Sequence, residues 1–405
     1  MPQQPLSSAK IVAMALFRRR NAAASDSAVA VDEFWSQWAD VRDELAASID
    51  AGSAVSAEVA QRLTDRVTRI HPALAWQVSP APSSDPGGLG GLGDLGLPAD
   101  AAPEELLARL TEADEAAAEG APSYALTLVA GADDEARVLA ERWMRAAPED
   151  PDWHFFPAIP ADHAKLGETY TADDHELDLS HCSVSLRVDQ QRSMMEAGVY
   201  HPDNMFLPEE AQQAVAEHVV LLALGEDDYV RWISQVTPLS EKPLDPLPPT
   251  SMPSVVRQLA GAFGSGGWVT VQGRIPLRGI IEIAVRHPLH RRDFPAMSLS
   301  VTVALPYANS DADKLPAEPS ASALEAFTAR LDDLLGDNGA LLARQTVGGQ
   351  RLLHYYVDPE SGVLPELEAT VREWSEGRAL VRSRLDPTWD SVNQLLKPIK
   401  RQLGQ

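Results

Sequence analysis

Residues 343–356 read Ala343-Arg344-Gln345-Thr346-Val347-Gly348-Gly349-Gln350-Arg351-Leu352-Leu353-His354-Tyr355-Tyr356, and one helix further on stands Arg384-Leu385-Asp386-Pro387-Thr388-Trp389. Gly348-Gly349 separates two runs rich in β-branched, aromatic and long apolar residues. Two glycines supply the positive φ angles of a two-residue turn, so the stretch predicts a β-hairpin. From Glu366 to Trp374, Leu367, Thr370, Val371 and Trp374 recur at helical spacing, with Gly377 closing the helix. Ala379 to Leu385 reads as a last strand. Asp386 is then placed to cap a closing helix whose first residue is Pro387 and which ends near Lys397, because Pro398 breaks the hydrogen-bond ladder.

This order resembles domain-of-unknown-function family 695, whose pattern is a Thr near a Gly-x-Arg turn, an aromatic pair ending in Tyr and a closing Asp-x-x-Trp. The matching positions are Thr346, Gly349, Arg351, Tyr356, Asp386 and Trp389. Trp268-Val269-Thr270-Val271 and Ser298-Leu299-Ser300-Val301-Thr302-Val303 fit that family's early strands, so the resemblance spans roughly residues 265–395. The family is often associated with domains similar to regulator B, which inhibits ribonuclease E. The resemblance therefore implies an α+β sandwich that acts by protein contact rather than by catalysis.

Composition narrows the classes of function. The chain has 405 residues, enough for two cores, and 34 Lys plus Arg against 59 Asp plus Glu give a formal charge of −25. Such a charge repels phosphate backbones and anionic membrane surfaces, so neither nucleic acid nor membrane is an expected partner. One cysteine makes no internal disulfide and no usual zinc spacing, which fits a reducing cytoplasm. The apolar run Ile11 to Phe17 precedes Arg18-Arg19-Arg20, the wrong order for a secretory signal, and no run is long enough to span a bilayer. A cytoplasmic protein is expected.

The rest of the chain divides by its punctuation. Residues 1–30 lack a sustained period and read as a loose arm. Residues 31–79 read as a helical pair plus a strand: Phe34, Trp38, Val41, Leu45 and Ile49 form one stripe, Val59, Leu63, Val67 and Ile70 another, and Ala73 to Val78 the strand. Residues 80–102 form a Gly/Pro-rich linker. Its Gly88-Leu89-Gly90-Gly91-Leu92-Gly93 matches the dinucleotide fingerprint in letters only, since no strand leads directly into it and the next helix waits until Glu104. Residues 103–240 supply strand, helix, two or three strands, helix and strand, the last being Tyr229 to Val236. Residues 241–253 form a Pro-rich linker, and 254–405 the C-terminal domain. The predicted fold class is α+β, with two ferredoxin-like sandwiches of antiparallel sheet and helices on one face, preceded by the helical pair.

Candidate site residues are few. Arg351 and Asp386 both fall near strand ends of one sheet, where a charge-assisted bond between them would either fix the closing helix against the hairpin or form a ligand-binding pair, and Tyr356 is a further binding candidate. The run His287-Pro288-Leu289-His290-Arg291-Arg292, with Arg286 before it, is the basic stretch of an acidic region. It reads either as solvated charge at a hairpin end or as a docking patch for an acidic segment. Thr346, Gly349 and Trp389 read as structural, Trp389 as a core anchor. Cys182 and His181 point to opposite faces of a strand, and His218 lies within an apolar helix stripe, so neither suggests chemistry. His154, His163 and His175 lack shared metal-ligand spacing. No catalytic residue, metal or cofactor is indicated.

The reading that results is a non-catalytic regulator or adaptor with an unknown protein partner. Its rivals are an enzyme whose site lies in the interdomain cleft, where the Arg351 hairpin faces Trp153 to Ile159, and an immunity-type protein binding a basic partner. The oligomeric state is open.

Overall fold

A computed structural model describes residues 27–82, 122–189, 194–263, 267–287 and 289–403. Residues 1–26 of the expected arm, most of the first linker and the helix expected from Glu104 lie outside these residues, whereas residues 27–30, expected as part of the arm, are helical. The fold is α+β. The chain divides into two compact units, one built from the described chain up to Cys182 together with His201–Tyr229, the other from Ser183–Tyr200 and the chain from Val230 onward.

In the first unit the stripe predicted from Asp32 is buried as expected at Phe34, Trp38, Val41 and Leu45. It is not one helix. α1 (27–36) gives way to a 3₁₀ turn at Trp38–Asp40 before α2 (Arg42–Asp50). A single tightened turn preserves the face while reorienting the second half. α3 (Ala57–Ile70), capped by the Ser56 hydroxyl, buries its own stripe, and β1 (Ala75–Pro80) follows. β2 (Tyr124–Val129) pairs antiparallel with β1 and parallel with β3 (Trp153–Phe156), and α4 (Asp134–Arg145) makes the crossover that a parallel pair requires. Phe34, Trp35, Trp38, Trp143, Trp153 and Phe155 meet in one aromatic core, with Trp35 stacked on Trp143 at 4.9 Å between centroids.

The strands expected to complete a single sandwich over residues 103–240 go elsewhere. β4 (Thr169–Ala172) and β5 (His175–Asp178) make a separate hairpin. β6 (Ser183–Asp189), β7 (Met194–Tyr200) and β8 (Ile233–Leu239) form a three-stranded sheet in the second unit. The stretch read as one strand from Glu176 to Val188 is broken by a 3₁₀ turn at Leu179–His181. Tyr229 to Trp232, read as strand for their β-branched and aromatic content, continue helix α5 (Glu209–Trp232), so packing overrides local propensity. α5 carries a kink at Gly225, where φ is 73° and an added Cβ would lie 2.8 Å from the Ala161 nitrogen, which demands glycine. Beyond the kink, buried Glu226 accepts hydrogen bonds from the backbone of Ala130, Gly131 and Ile159.

The Pro-rich stretch 241–253 is not a bare linker. The backbone of Leu247 exchanges two hydrogen bonds with Val184 on β6, Pro249 is buried, and Met252 opens α6 (Met252–Phe263) fully buried. Prolines forbid a long ladder but leave single residues free to dock on a sheet edge.

The second unit is dominated by a six-stranded antiparallel sheet in the order β14-β11-β13-β12-β10-β9. Its strands are β9 (Gly267–Ile275), β10 (Gly279–His287), β11 (Leu299–Pro306), β12 (Gly339–Val347), β13 (Gln350–Val357) and β14 (Leu380–Leu385). Thr346 faces Arg351 and Val347 faces Gln350 across a turn in which Gly348 and Gly349 have φ of 60° and 82°, so the hairpin is as predicted. α7 (Ser320–Leu335) and α8 (Leu364–Val371) cover the face bearing Val301, Val303, Leu353, Tyr355 and Val357. α9 (Asp390–Leu403) packs Val392 and Leu396 on the opposite face with Val285, Leu342 and Tyr356. The expectation of helices on one face is thus corrected: both faces of this sheet carry apolar side chains, and each needs cover. α9 also runs through Pro398 rather than stopping before it. A proline deletes one ladder bond, and the remaining turns continue the helix.

Candidate functional site

Asp386 organises the C-terminal corner of the second unit, though not with the partner expected. Its backbone N–H continues the sheet by donating to Ser298, and its side chain is 3% exposed. One carboxylate oxygen accepts from the Asp390 N–H at 3.0 Å, the other from the Ser391 N–H at 2.9 Å and the Tyr356 hydroxyl at 2.7 Å. Burial raises the Asp386 pKa, but the bonds from Ser391 and Tyr356 outweigh it and leave the carboxyl more acidic than usual. Burial and the Asp386 charge push the Tyr356 phenol up. Asp386 caps α9 as predicted, yet the helix begins at Asp390, not Pro387. Residues 386–389 form a turn closed by the Trp389 N–H on the Asp386 carbonyl, and Trp389 sits at φ 57°, a left-handed conformation rare for a bulky side chain. That turn drives the indole inward: Trp389 is 2% exposed, donates to the Met297 carbonyl at 2.9 Å and lies 4.9 Å from the Tyr356 ring. The expected core anchor is there, held by a backbone that the sequence did not announce.

Arg351 is elsewhere. It starts β13, on the face covered by α7, where its guanidinium bonds Glu325 at 2.6 Å and Thr346 at 3.3 Å. Tyr356 lies five residues on, so strand alternation puts the two on opposite faces and about 17 Å apart. The proposed Arg351–Asp386 pair therefore does not form. Thr346 is buried and acts as a second acceptor for Arg351, and Gly349 serves the turn.

The basic run also differs from its reading as a docking patch. Arg291 and Arg292 are both buried. The Arg291 guanidinium donates to the carbonyls of Pro387, Phe294 and Pro295 and lies 4.9 Å over the Trp389 ring. It is committed to holding the corner together. The His290 ring accepts from the Arg292 N–H, and half-buried Arg286 lies over Phe294. Elsewhere, Cys182 is buried and its thiol is pushed up to about 12, chiefly by desolvation and then by Asp178, which holds it protonated. His218 stacks on Tyr170 at 4.2 Å, and burial lowers its pKa. Among the described residues no group of three or more His, Cys, Asp or Glu could hold a metal, and no helix is long and apolar enough to cross a membrane.

A concavity among the described residues flanks β14. A groove of about 460 Å³ is lined by Ser300 and Thr302 of β11, Arg382, Ser383 and Arg384 of β14, and Ser391 and Gln394 of α9. Arg384 pairs with Ser300 across the ladder and Arg382 with Thr302, two residues on, so the two arginines share one face. Arg384 is tied to the Ser391 hydroxyl and lies 3.5 Å from Asp386, whereas Arg382 is exposed and has no ion pair among the described residues. His354, opposite Thr302 on β13, is neutral: burial lowers its pKa to about 4, and its Nε2 is buried without a hydrogen-bond partner. These groups match no catalytic spacing. The signal was the alternation Leu380-x-Arg382-x-Arg384, since charged residues along one face of a strand mark a sheet edge.

Comparison of the chain with protein-family models, with curated proteins and with solved structures found no match.

Proposed function

We propose that this chain is a non-catalytic regulator or adaptor of the cytoplasm that acts by contact with another protein through the β14 side of its second unit. One observation carries the reading: β14 is a terminal strand of the six-stranded sheet, and beside it lies a polar groove with an exposed Arg382 that has no ion pair among the described residues. Supporting it is the resemblance of Thr346, Gly349, Arg351, Tyr356, Asp386 and Trp389 to the family 695 pattern. The polar groups of the Asp386 corner are engaged in holding α9, which leaves them poorly placed for chemistry, and the free polar groups belong to the edge. The test is affinity capture of the tagged chain from its native cell, with quantitative mass spectrometry. A single partner in stoichiometric amount is expected. Absence of any stoichiometric protein, together with turnover of a component in a metabolite mixture, would favour the enzyme reading instead.

A further inference from the structure

Resting on the protein-contact reading, the edge and groove together specify the kind of segment that fits them. Alternate residues of an edge strand direct both backbone N–H and C=O away from the neighbouring strand. On the outer side of β14 no described residue hydrogen-bonds to those groups. Leu380, Arg382 and Arg384 share one face, because they pair with Ala304, Thr302 and Ser300 of β11. Their spacing of about 6.8 Å is the repeat of alternate side chains on any strand laid alongside. The groove beneath that face is lined by groups that can all donate and by no carboxylate: two guanidiniums, the hydroxyls of Ser300, Thr302, Ser383 and Ser391, and the Gln394 amide. The neighbouring carboxylate, Asp386, is buried with both oxygens occupied. In a chain of charge −25, this is a local inversion of sign.

We infer that β14 accepts an extended acidic segment of a partner protein as an added strand. Carboxylates at two alternate positions meet Arg382 and Arg384 over the groove, and an apolar residue at the next alternate position covers Leu380, which is 43% exposed. Main-chain bonds to the edge supply affinity and the alternate side chains supply specificity. Other occupants fit less well. A second copy pairing through β14 sets arginine against arginine, which is unfavourable for directly opposed strands. A free small anion leaves the open backbone edge unused, and nucleic acid faces the charge of the whole chain.

The test is fluorescence anisotropy with the full chain and a short labelled peptide alternating valine and glutamate. Controls are a peptide of the same composition with its glutamates grouped, and one N-methylated along one backbone edge. Binding of the alternating peptide is expected, weakened at least about tenfold by Arg382→Glu, a substitution at an exposed side chain with no ion pair among the described residues. The grouped peptide should bind more weakly and the N-methylated peptide not at all. No binding, equal binding of either control, or indifference to Arg382→Glu overturns the inference. So does displacement by inorganic phosphate alone with the N-methylated peptide still binding, which marks a small-anion site, or a dimer that Arg382→Glu dissolves. Stoichiometric partner capture that survives Arg382→Glu would leave the protein-contact reading standing while this inference falls.

Discussion

Replacing Asp386 by alanine should cost far more than the loss of a surface helix cap. Two α9 N–H groups, those of Asp390 and Ser391, lose their acceptor, and a cap of this kind contributes about 1 to 2 kcal/mol. The Tyr356 hydroxyl, on a fully buried ring, also loses its acceptor, and an orphaned buried donor costs about 1 to 3 kcal/mol more. The expected total is about 2 to 5 kcal/mol. Tyr356→Phe removes the donor but leaves Asp386 its backbone partners, so about 1 to 2 kcal/mol is expected there. Because the orphaned hydroxyl is counted in the first variant and absent from the double variant, Asp386→Ala/Tyr356→Phe should cost about 1 to 3 kcal/mol less than the sum. Arg351→Ala combined with Asp386→Ala should instead be additive within about 0.5 kcal/mol, since the side chains occupy opposite faces and separate networks. The assay is urea unfolding of the full chain, reading the transition that moves with Leu353→Ala, a fully buried core residue of the second unit. Coupling of Asp386 to Arg351 rather than to Tyr356 would refute the argument.

Three further outcomes follow from the same structure. Trp389→Ala should destabilise by about 3 to 5 kcal/mol through lost burial and a cavity. Trp389→Gly should be no worse than the alanine variant despite glycine's extra backbone entropy, because φ is 57° there; an unchanged melting temperature for Trp389→Ala would show that the indole is not an anchor. His354 has a folded pKa of about 4 against an unfolded value near 6.5, so the unfolded chain binds its proton first and stability falls as pH drops from about 6.5 towards 4, by at most about 3 kcal/mol. His354→Leu should remove that part of the pH dependence, measured by urea midpoints across this window, and an unaltered slope would contradict it. Cys182, held protonated by burial, should resist a maleimide in the native protein at neutral pH and react on unfolding; rapid native labelling would contradict this.

Much of the second unit was legible because its signals are local. The Gly348-Gly349 turn fixes the pairing of Thr346 with Arg351 without reference to anything distant. Asp386 reads as a cap and Trp389 as apolar from their neighbours alone. Alternation even separates Arg351 from Tyr356, so the ion pair expected between Arg351 and Asp386 contradicted a signal already in the sequence. Other features had no local signature. Tyr229 to Trp232 carry strand-like side chains yet complete α5, and the left-handed turn at Trp389 follows from where the indole is buried. Arg291 of the basic run is drawn inward by the carbonyls of Pro387, Phe294 and Pro295, which no reading of residues 286–292 reveals.

By itself, then, the chain's order of residues determined the α+β class, the hairpin, the buried stripes and the anchors of the closing helix, all of which depend on periods of two or about 3.6 residues within one element. The tertiary structure decided which strands share a sheet, that α9 covers the face opposite α7 and α8, and that, among the described residues, β14 is left at the edge with Arg382 without an ion pair. The physical reason is that strand partners and helix faces are chosen by contacts between residues tens to hundreds of positions apart. A period within one segment records which side of it must be buried, and not what buries it.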